Sequence, residues 1–188
     1  TVIRRPVVAI LATGNEVVDI NQPLPAGKIY NSNSYSVAAL VRHYGGIPKI
    51  LGIARDSEDS VVARIRHGLD ADMLLTTGGV SAGDYDVVKD VLAKQGEITF
   101  WTVRMKPGKP LAFGTIKAVG KAGIARNIPH LGLPGNPVSS MVTFELFVRP
   151  AILKMMGKKN LTKPTIEAVA EDPVANRDRR RIFTRVIA

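Results

Sequence analysis

The sequence predicts an α/β domain of three layers, in which helices cover both faces of a mostly parallel sheet. Apolar runs with the length of strands alternate three times with amphipathic runs that have helical spacing. A strand that returns to its neighbour through a helix pairs with it in parallel, so the alternation favours crossover connections and a covered sheet. After Gly96 the pattern changes to two strands separated by a short turn, which predicts a hairpin.

The first strand is predicted over residues 7–11, where a β-branched run leads into a turn. Residues 19–31 are rich in Pro, Gly and Asn and predict a loop. The helix that follows has apolar residues at helical spacing. Its N-cap is predicted to be Asn33 or Ser34, and the pair Gly45-Gly46 is predicted to end it.

A second strand is predicted over residues 47–54, and a second helix opens with the acidic segment 56–59. A third apolar run at 73–77 predicts another strand. The loop 78–86 then leads into a helix with apolar positions over 87–92. These segments complete the three strand–helix units.

The second half of the chain begins with strands predicted over 98–105 and 111–116, joined by the turn 106–110. Residues 117–127 are predicted to form a surface loop, and 129–133 a last short strand. This part is expected to be less regular than the first half.

The last helix is predicted to begin at Pro137 with Asn136 as its N-cap, because proline suits a first helical position and asparagine accepts from the first turn. Pro150 should kink it or start a new helix, and Gly157 should end it. The remaining strand-like residues are too few to bury a core of their own. The predicted organisation is a domain over 1–157, a linker over 158–164 and part of a C-terminal β domain over 165–188.

Composition narrows the function classes. The chain has no cysteine, which excludes a disulfide framework and a thiolate metal site and fits a cytoplasmic protein. No apolar stretch approaches the ~18 residues of a membrane span. The first residues do not resemble a signal peptide, and the missing initial Met indicates that the chain begins inside a longer protein.

The net charge of +10 raises nucleic acid as a partner, but its distribution does not support one. The basic residues are spread along the chain, and the dense run 177–181 is broken by an acidic residue. Aromatic residues make up 5% of the chain and are not interleaved with the basic ones, so a stacking platform is poorly supported. A steep salt dependence of affinity would be needed to favour this class.

Two loops join strand-like runs to helix-like runs, at 78–86 and 133–140. Such junctions expose free backbone N–H groups at a helix start, where an anion such as phosphate binds. The first loop also contains Asp84 and Asp86, which suit a phosphate bridged by a hard cation such as Mg²⁺. Because strand ends of a parallel sheet meet at one edge, both loops are expected to border one site.

Six motifs in order resemble the molybdopterin molybdotransferases, the MoeA and gephyrin E-domain family. The resemblance runs from about Val7 to Gly157 and implies the molybdopterin-binding three-layer fold. Asn15 departs from the Asp usual in the first motif. The motifs are Thr13-Gly14-Asn15-Glu16, Gly27-Lys28-Ile29-Tyr30-Asn31-Ser32-Asn33, Gly52-Ile53-Ala54-Arg55-Asp56, Gly78-Gly79-Val80-Ser81-Ala82-Gly83-Asp84-Tyr85-Asp86, Lys106-Pro107-Gly108-Lys109-Pro110 and Leu133-Pro134-Gly135-Asn136-Pro137.

The resemblance implies an enzyme that inserts molybdate into adenylylated molybdopterin and releases AMP with the help of Mg²⁺. It implies a homodimer in the full-length protein, molybdopterin adenylyltransferase as a candidate partner, and upstream domains that complete the site from the partner subunit. No nucleic acid or membrane partner is expected. The isolated chain is therefore expected to bind substrate without efficient turnover.

Candidate site residues follow from the motifs and from the loops. Catalytic roles are predicted for Glu16, Asp56, Asp86, Lys106 and Lys109, with the three carboxylates also as metal ligands. Binding of the molybdopterin substrate is predicted for Thr13, Gly14, Gly78, Gly79, Ser81, Gly83, Pro134, Gly135, Asn136, Pro137 and Ser139.

Several of these residues have structural alternatives. Asp56 sits at a helix start and suits an N-cap, a role compatible with cation binding. Lys106 and Lys109 are either exposed turn tips or a fixed pair of cations for oxyanions. Ser139 is either an anion donor or a polar residue of a first helical turn. A molybdopterin carrier or scaffold without turnover is the alternative function.

Overall fold

A central sheet organises the computed structural model, which describes residues 2–79, 87–119, 123–176 and 179–186. In chain order the elements are β1 (Val7–Thr13), β2 (Val17–Val18), β3 (Ile29–Tyr30), α1 (Ser32–His43), β4 (Ile47–Ala54), α2 (Glu58–Arg66), β5 (Met73–Thr77), α3 (Val87–Gln95), β6 (Gly96–Thr102), β7 (Met105–Lys106), β8 (Pro110–Val119), β9 (Ala125–Leu133), α4 (Pro137–Thr143), a π-helical turn (Phe144–Val148), α5 (Arg149–Met155) and β10 (Arg181–Ile182).

The sheet has six strands in the order β4-β1-β5-β9-β8-β6. β1 pairs in parallel with both β4 and β5, and β5 pairs in parallel with β9. β8 is antiparallel to β9 and to β6. The predicted mostly parallel sheet with an added hairpin is therefore confirmed.

Helices cover both faces of the sheet, because side chains along β1 alternate between two apolar layers. Ala9 and Leu11 face a layer formed with α2 and α3, whereas Val8 and Ile10 face a layer formed with α1, the π-helical turn and α5. Complete burial of one such aliphatic side chain contributes about 1.5–3 kcal/mol. The predicted three layers are confirmed.

The start of α1 differs from the prediction. Asn31, not Asn33 or Ser34, is its N-cap, because the Asn31 side chain accepts from the Ser34 N–H. Asn31 is held there by its own N–H, which donates to the Val18 carbonyl at 2.8 Å. The predicted end is confirmed, since the left-handed Gly45 follows the last turn.

The surface loop predicted over 117–127 is wrong. β8 extends to Val119 and β9 starts at Ala125, and the two strands pair up to these residues. Short side chains and charged residues on this exposed end weakened the apolar pattern that marks a strand. Residues 120–122 lie outside the described part of the chain.

The C-terminal helix is interrupted before Pro150, as predicted. The π-helical turn precedes α5, in which Pro150 occupies the first turn and has no N–H to donate. Gly157, with φ of 71°, follows the end of α5.

Past the helix, the described residues hold one short strand, β10, which pairs with β7. The segment 158–164 is tied to the helix, since Arg149 donates to the Leu161 carbonyl and Lys163 pairs with Glu145 at 2.7 Å. The division into a domain, a linker and a partial β domain stays a prediction. Within the described ranges, none of the helices has the length and apolar character that a bilayer crossing requires.

His130 provides a test of the core. It is fully buried on β9, where its Nε2 lies 3.1 Å from the Thr76 hydroxyl, and burial lowers its pKa to about 3. The unfolded chain takes up this proton near pH 6.5, so folding excludes it between about pH 6.5 and pH 3. We therefore expect the free energy of unfolding to decrease as the pH is lowered from about 6.5 to about 3. This group contributes up to about 1.4 kcal/mol of that decrease per pH unit.

The measurement is urea unfolding of the wild type and of His130→Gln at several pH values between 7.5 and 4. The variant should lose part of the pH dependence, whereas His43→Gln, at a residue exposed on the last turn of α1, serves as the control. Identical pH dependence in wild type and His130→Gln would contradict the assignment.

Candidate functional site

A cleft of about 330 Å³ opens at the carboxyl ends of β1, β5 and β9. This is the edge at which open α/β sheets bind ligands. Among the described residues that line the cleft, Glu16 is the single charged side chain, and the others are apolar or neutral polar. The lining comprises Ala12, Thr13, Glu16, Val17, Ile29, Tyr30, Asn31, Ser32, Asn33, Thr77, Gly78, Gly135, Asn136 and Pro137.

The base of the cleft is formed by close contacts between the ends of the strands. The Gly78 N–H donates to the Leu133 carbonyl at 3.1 Å, and the Thr13 hydroxyl donates to the Thr77 carbonyl at 3.3 Å. Gly78 has φ of 88°, and a Cβ there would lie 2.9 Å from the Thr13 carbonyl oxygen. Glycine is therefore required at 78 by the backbone itself.

Gly135 is different. Its φ is not in the left-handed region, and a Cβ there would meet its nearest neighbour, the Gly78 Cα, at an ordinary 3.7 Å. The fold does not require glycine at this position. A missing side chain on the wall of a cleft leaves room for a ligand.

The predicted start of α4 is confirmed. The Asn136 side chain accepts from the Ser139 N–H at 3.1 Å, and Pro137 stands in the first turn. The Ser139 hydroxyl donates to the same Asn136 oxygen at 3.3 Å, which favours the structural alternative for Ser139. Pro134 is buried beneath this segment.

Asp56 does not cap α2, because Ser57 does so through the Ser60 N–H. Instead Asp56 and Asn15 exchange two hydrogen bonds. The Asn15 N–H donates to the Asp56 carboxylate at 3.0 Å, and the Asp56 N–H donates to the Asn15 side-chain oxygen at 3.2 Å. The N-cap interpretation of Asp56 is wrong, and its carboxylate is joined to the turn that carries Glu16.

Glu16 is exposed, lines the cleft and has no hydrogen-bond partner for its carboxylate among the described residues. The side chain folds back over Gly14, where φ is 133° and a Cβ would lie 2.5 Å from the Glu16 Oε2. Gly14 therefore permits this position of the carboxylate.

No group of three His, Asp or Glu within the described ranges is placed to hold a metal ion. Three predicted site residues, Ser81, Gly83 and Asp86, lie outside those ranges, as does Asp84 of the same loop. The metal site predicted from Glu16, Asp56 and Asp86 stays a prediction.

The turn that carries Lys106 and Lys109 packs on α4. Gly108 is buried with φ of 98°, and a Cβ there would lie 2.6 Å from the Thr143 hydroxyl. The Lys106–Pro107 peptide is cis. Both lysines are exposed and have no ion pair with described residues, and neither lines the cleft. They lie on an anchored turn, as predicted, beside the cleft and not within it.

Eight of the lining residues were not predicted as site residues, and two of them, Asn31 and Asn33, have side-chain amides at the cleft. Both are more than nine-tenths buried at the start of α1. Asn33 donates from Nδ2 to the Gly135 carbonyl at 2.8 Å. The sequence signal was the polar run 31–34 before an amphipathic helix, which was interpreted as capping alone.

Comparison with known proteins agrees with this geometry. A family model described as a probable molybdopterin binding domain matches residues 9–154. The chain is 41% identical over 182 residues to the molybdopterin molybdenumtransferase of Nostoc sp., covering 96% of this chain and 40% of that protein. It is 40% identical over 158 residues to the enzyme of the same name from Haemophilus influenzae, covering 84% of this chain and 37% of that one. The chain thus spans less than half the length of these curated relatives.

Among solved structures, the molybdopterin biosynthesis MoeA protein of Pyrococcus horikoshii is 32% identical with a TM-score of 0.70, covering 84% of this chain and 37% of that one. The tungsten cofactor synthesizing protein MoaB of Pyrococcus furiosus, 12% identical with a TM-score of 0.59, shares the fold. The family model covers most of the chain, and the cleft lies within the matched residues. The chain therefore belongs to the family of probable molybdopterin binding domains.

Proposed function

We propose that this chain is the substrate-binding part of a molybdopterin molybdotransferase, which inserts molybdate into adenylylated molybdopterin with release of AMP. The observation that carries the proposal is the cleft, because it joins residues from four of the six motifs at one edge of the sheet. The similarity to relatives named molybdopterin molybdenumtransferase supports the same proposal.

The lining of the cleft suits a neutral heterocycle. A volume of about 330 Å³ lies at the lower end of the range of small-molecule sites, roughly 300–1,000 Å³. Ala12, Val17 and Ile29 offer apolar contact, whereas Thr13 and Asn31 offer polar groups. We assign the pterin portion of the substrate to this cleft.

We assign the charged portions of the substrate to positions outside this cleft. Lys106 and Lys109 are held on a turn packed against α4, so two cations are available outside the cleft with little loss of backbone entropy on binding. They would neutralise charge on molybdate and on phosphate oxygens as AMP departs.

The exposed carboxylates fit a magnesium ion. Glu16 has an unengaged carboxylate, and Asp56 has one oxygen held by Asn15, so both retain the hard oxygen donors that Mg²⁺ prefers. With Asp86 they would hold the ion, which when bound supplies positive charge at the phosphate oxygens. Asn15 orients Asp56, and Gly14 lets Glu16 turn toward the cleft.

The proposed setting is the cytoplasm, and the proposed assembly is a homodimer of the full-length protein, with molybdopterin adenylyltransferase as the source of substrate. Since the chain spans less than half of its relatives, we expect the isolated chain to bind and the full-length protein to turn over. A carrier or scaffold is the alternative, and the same partial coverage motivates it.

The function is tested with the full-length protein, adenylylated molybdopterin and molybdate. We expect molybdate-dependent release of AMP and formation of active cofactor. Ligand binding without AMP release by the full-length protein would support the carrier instead.

Glu16→Gln removes a charge and keeps the shape of the side chain. We expect AMP release to fall about 100- to 1,000-fold, the range measured for loss of one preorganised electrostatic group, with a smaller change in substrate affinity. Glu97→Gln, at an exposed residue of β6, is the control and should behave as the wild type. Equal rates for Glu16→Gln and Glu97→Gln would remove Glu16 from the mechanism.

Alanine substitutions at Gly78 and Gly135 should affect stability and ligand binding differently. Gly78→Ala should lower the free energy of unfolding by about 1–3 kcal/mol, because its positive φ and the Thr13 carbonyl leave no room for a Cβ. Gly135→Ala should unfold within about 0.5 kcal/mol of the wild type yet bind adenylylated molybdopterin at least tenfold more weakly. Wild-type affinity in Gly135→Ala would show that no ligand packs on this residue.

A further inference from the structure

Hydrogen bonds connect the turn that carries Glu16 to the start of α1. The Ile29 N–H donates to the Glu16 carbonyl at 2.9 Å, and the Asn31 N–H donates to the Val18 carbonyl at 2.8 Å. The Asn31 side-chain oxygen then accepts from the Ser34 N–H at 3.1 Å. One wall of the cleft is thereby a continuous unit from Glu16 to the first turn of α1.

The opposite wall, residues 133–137, is joined to the sheet at its base through the bond between Gly78 and Leu133. At its upper end the Asn33 side chain crosses the cleft and donates to the Gly135 carbonyl at 2.8 Å. The two residues are 102 positions apart in sequence. Asn33 is the link by which the α1 wall holds the 133–137 wall above the strand ends.

The side-chain amide of Asn33 is suited to joining the two walls because it supplies a hydrogen-bond donor. A backbone carbonyl accepts but does not donate, so the amide nitrogen of Asn33 faces Gly135. Its Oδ1 is buried and has no hydrogen-bond partner within the described residues. A buried acceptor without a partner destabilises a fold, so stability alone is a poor explanation for an amide at this position.

We propose that Asn33 is a positioning residue, which sets the separation between the α1 wall and the 133–137 wall and so fixes the substrate for reaction. It acts through Gly135, Asn136 and Pro137 and is not itself a catalytic residue. The effect on AMP release rests on the proposed function. The role of Asn33 in setting the separation of the two walls does not depend on that reaction. Loss of the link lets the wall move, and a misplacement of about 1 Å reduces rate by up to about 100-fold.

The test uses Asn33→Ala and Asn33→Asp in the full-length protein. Asn33→Asp keeps the volume of the side chain, but an ionised carboxylate cannot donate to a carbonyl. We expect kcat for AMP release to fall about 10- to 100-fold in both variants, with a smaller change in KM. In a double-mutant cycle with Asn136→Ala the losses should be less than multiplicative, because both substitutions loosen the same wall.

Asn176→Ala is the matched control, because Asn176 also donates from Nδ2 to a backbone carbonyl at 2.8 Å, that of Arg180, away from the cleft. It should leave kcat unchanged and combine multiplicatively with Asn136→Ala.

Backbone NMR of the same variants reports on the conformation of the 133–137 wall without requiring turnover. We expect shifts and faster hydrogen exchange at the Gly135, Asn136 and Ser139 amides in the Asn33 variants. Unchanged wall amides, wild-type kcat or multiplicative losses would overturn the proposal. A wild type without AMP release, combined with displaced wall amides in the variants, would overturn the proposed function and leave the positioning role of Asn33 supported.

Discussion

The parallel pairing of β1 with both of its neighbours is the constraint on which the rest of the structure depends. In register, Thr13 pairs with Ala54 of β4, Ala12 with Thr77 of β5, and Thr77 in turn with Leu133 of β9. Strands that run in the same direction and end in the same row deliver their following turns to one edge. The turns that carry Glu16, Asp56, Gly78 and Gly135 therefore meet although they are distant in sequence.

At this edge of the sheet, the lining of the cleft differs in charge from the residues that surround it. Among the described residues that line the cleft, Glu16 is the one charged side chain, which favours the neutral ring proposed above. Lys106 and Lys109 lie on a turn packed against α4 and do not line the cleft, whereas Glu16 lines it and Asp56 is hydrogen-bonded to the turn that carries Glu16. The substrate proposed above has a neutral ring and charged phosphates, and we infer that only the ring enters the cleft, since burying the phosphates among apolar residues would be unfavourable.

The sequence predicted what depends on local pattern. The alternation of apolar runs predicted the strands and helices of the first half, and Asn136-Pro137 predicted the start of α4, because each signal lies within a few residues of its effect. The start of α1 was mispredicted because Asn31, Ser32, Asn33 and Ser34 are all able to cap a helix. The choice was made by a distant group, the Val18 carbonyl that holds Asn31. The link from Asn33 to Gly135 and the exchange between Asn15 and Asp56 had no local signal at all, since their partners lie 102 and 41 positions away.

The distribution of unmatched polar atoms separates what the fold needs from what the site needs. Seven buried side-chain atoms of the described residues have no hydrogen-bond partner. Two of them, Arg126 Nε and His130 Nδ1, lie on β9. The other five belong to the start of α1 or to α4, the two helices that border the cleft, namely Asn31 Nδ2, Asn33 Oδ1, Ser34 Oγ, Ser140 Oγ and Thr143 Oγ1. Apolar residues of similar volume would stabilise a core at these positions, since each unmatched atom is unfavourable by about 1–3 kcal/mol. A sequence otherwise consistent with its fold departs from local rules mainly at sites shaped by function. Gly78 is required by its neighbours, whereas Gly135 is not, so we infer that function constrains the sequence on the wall that Asn33 contacts.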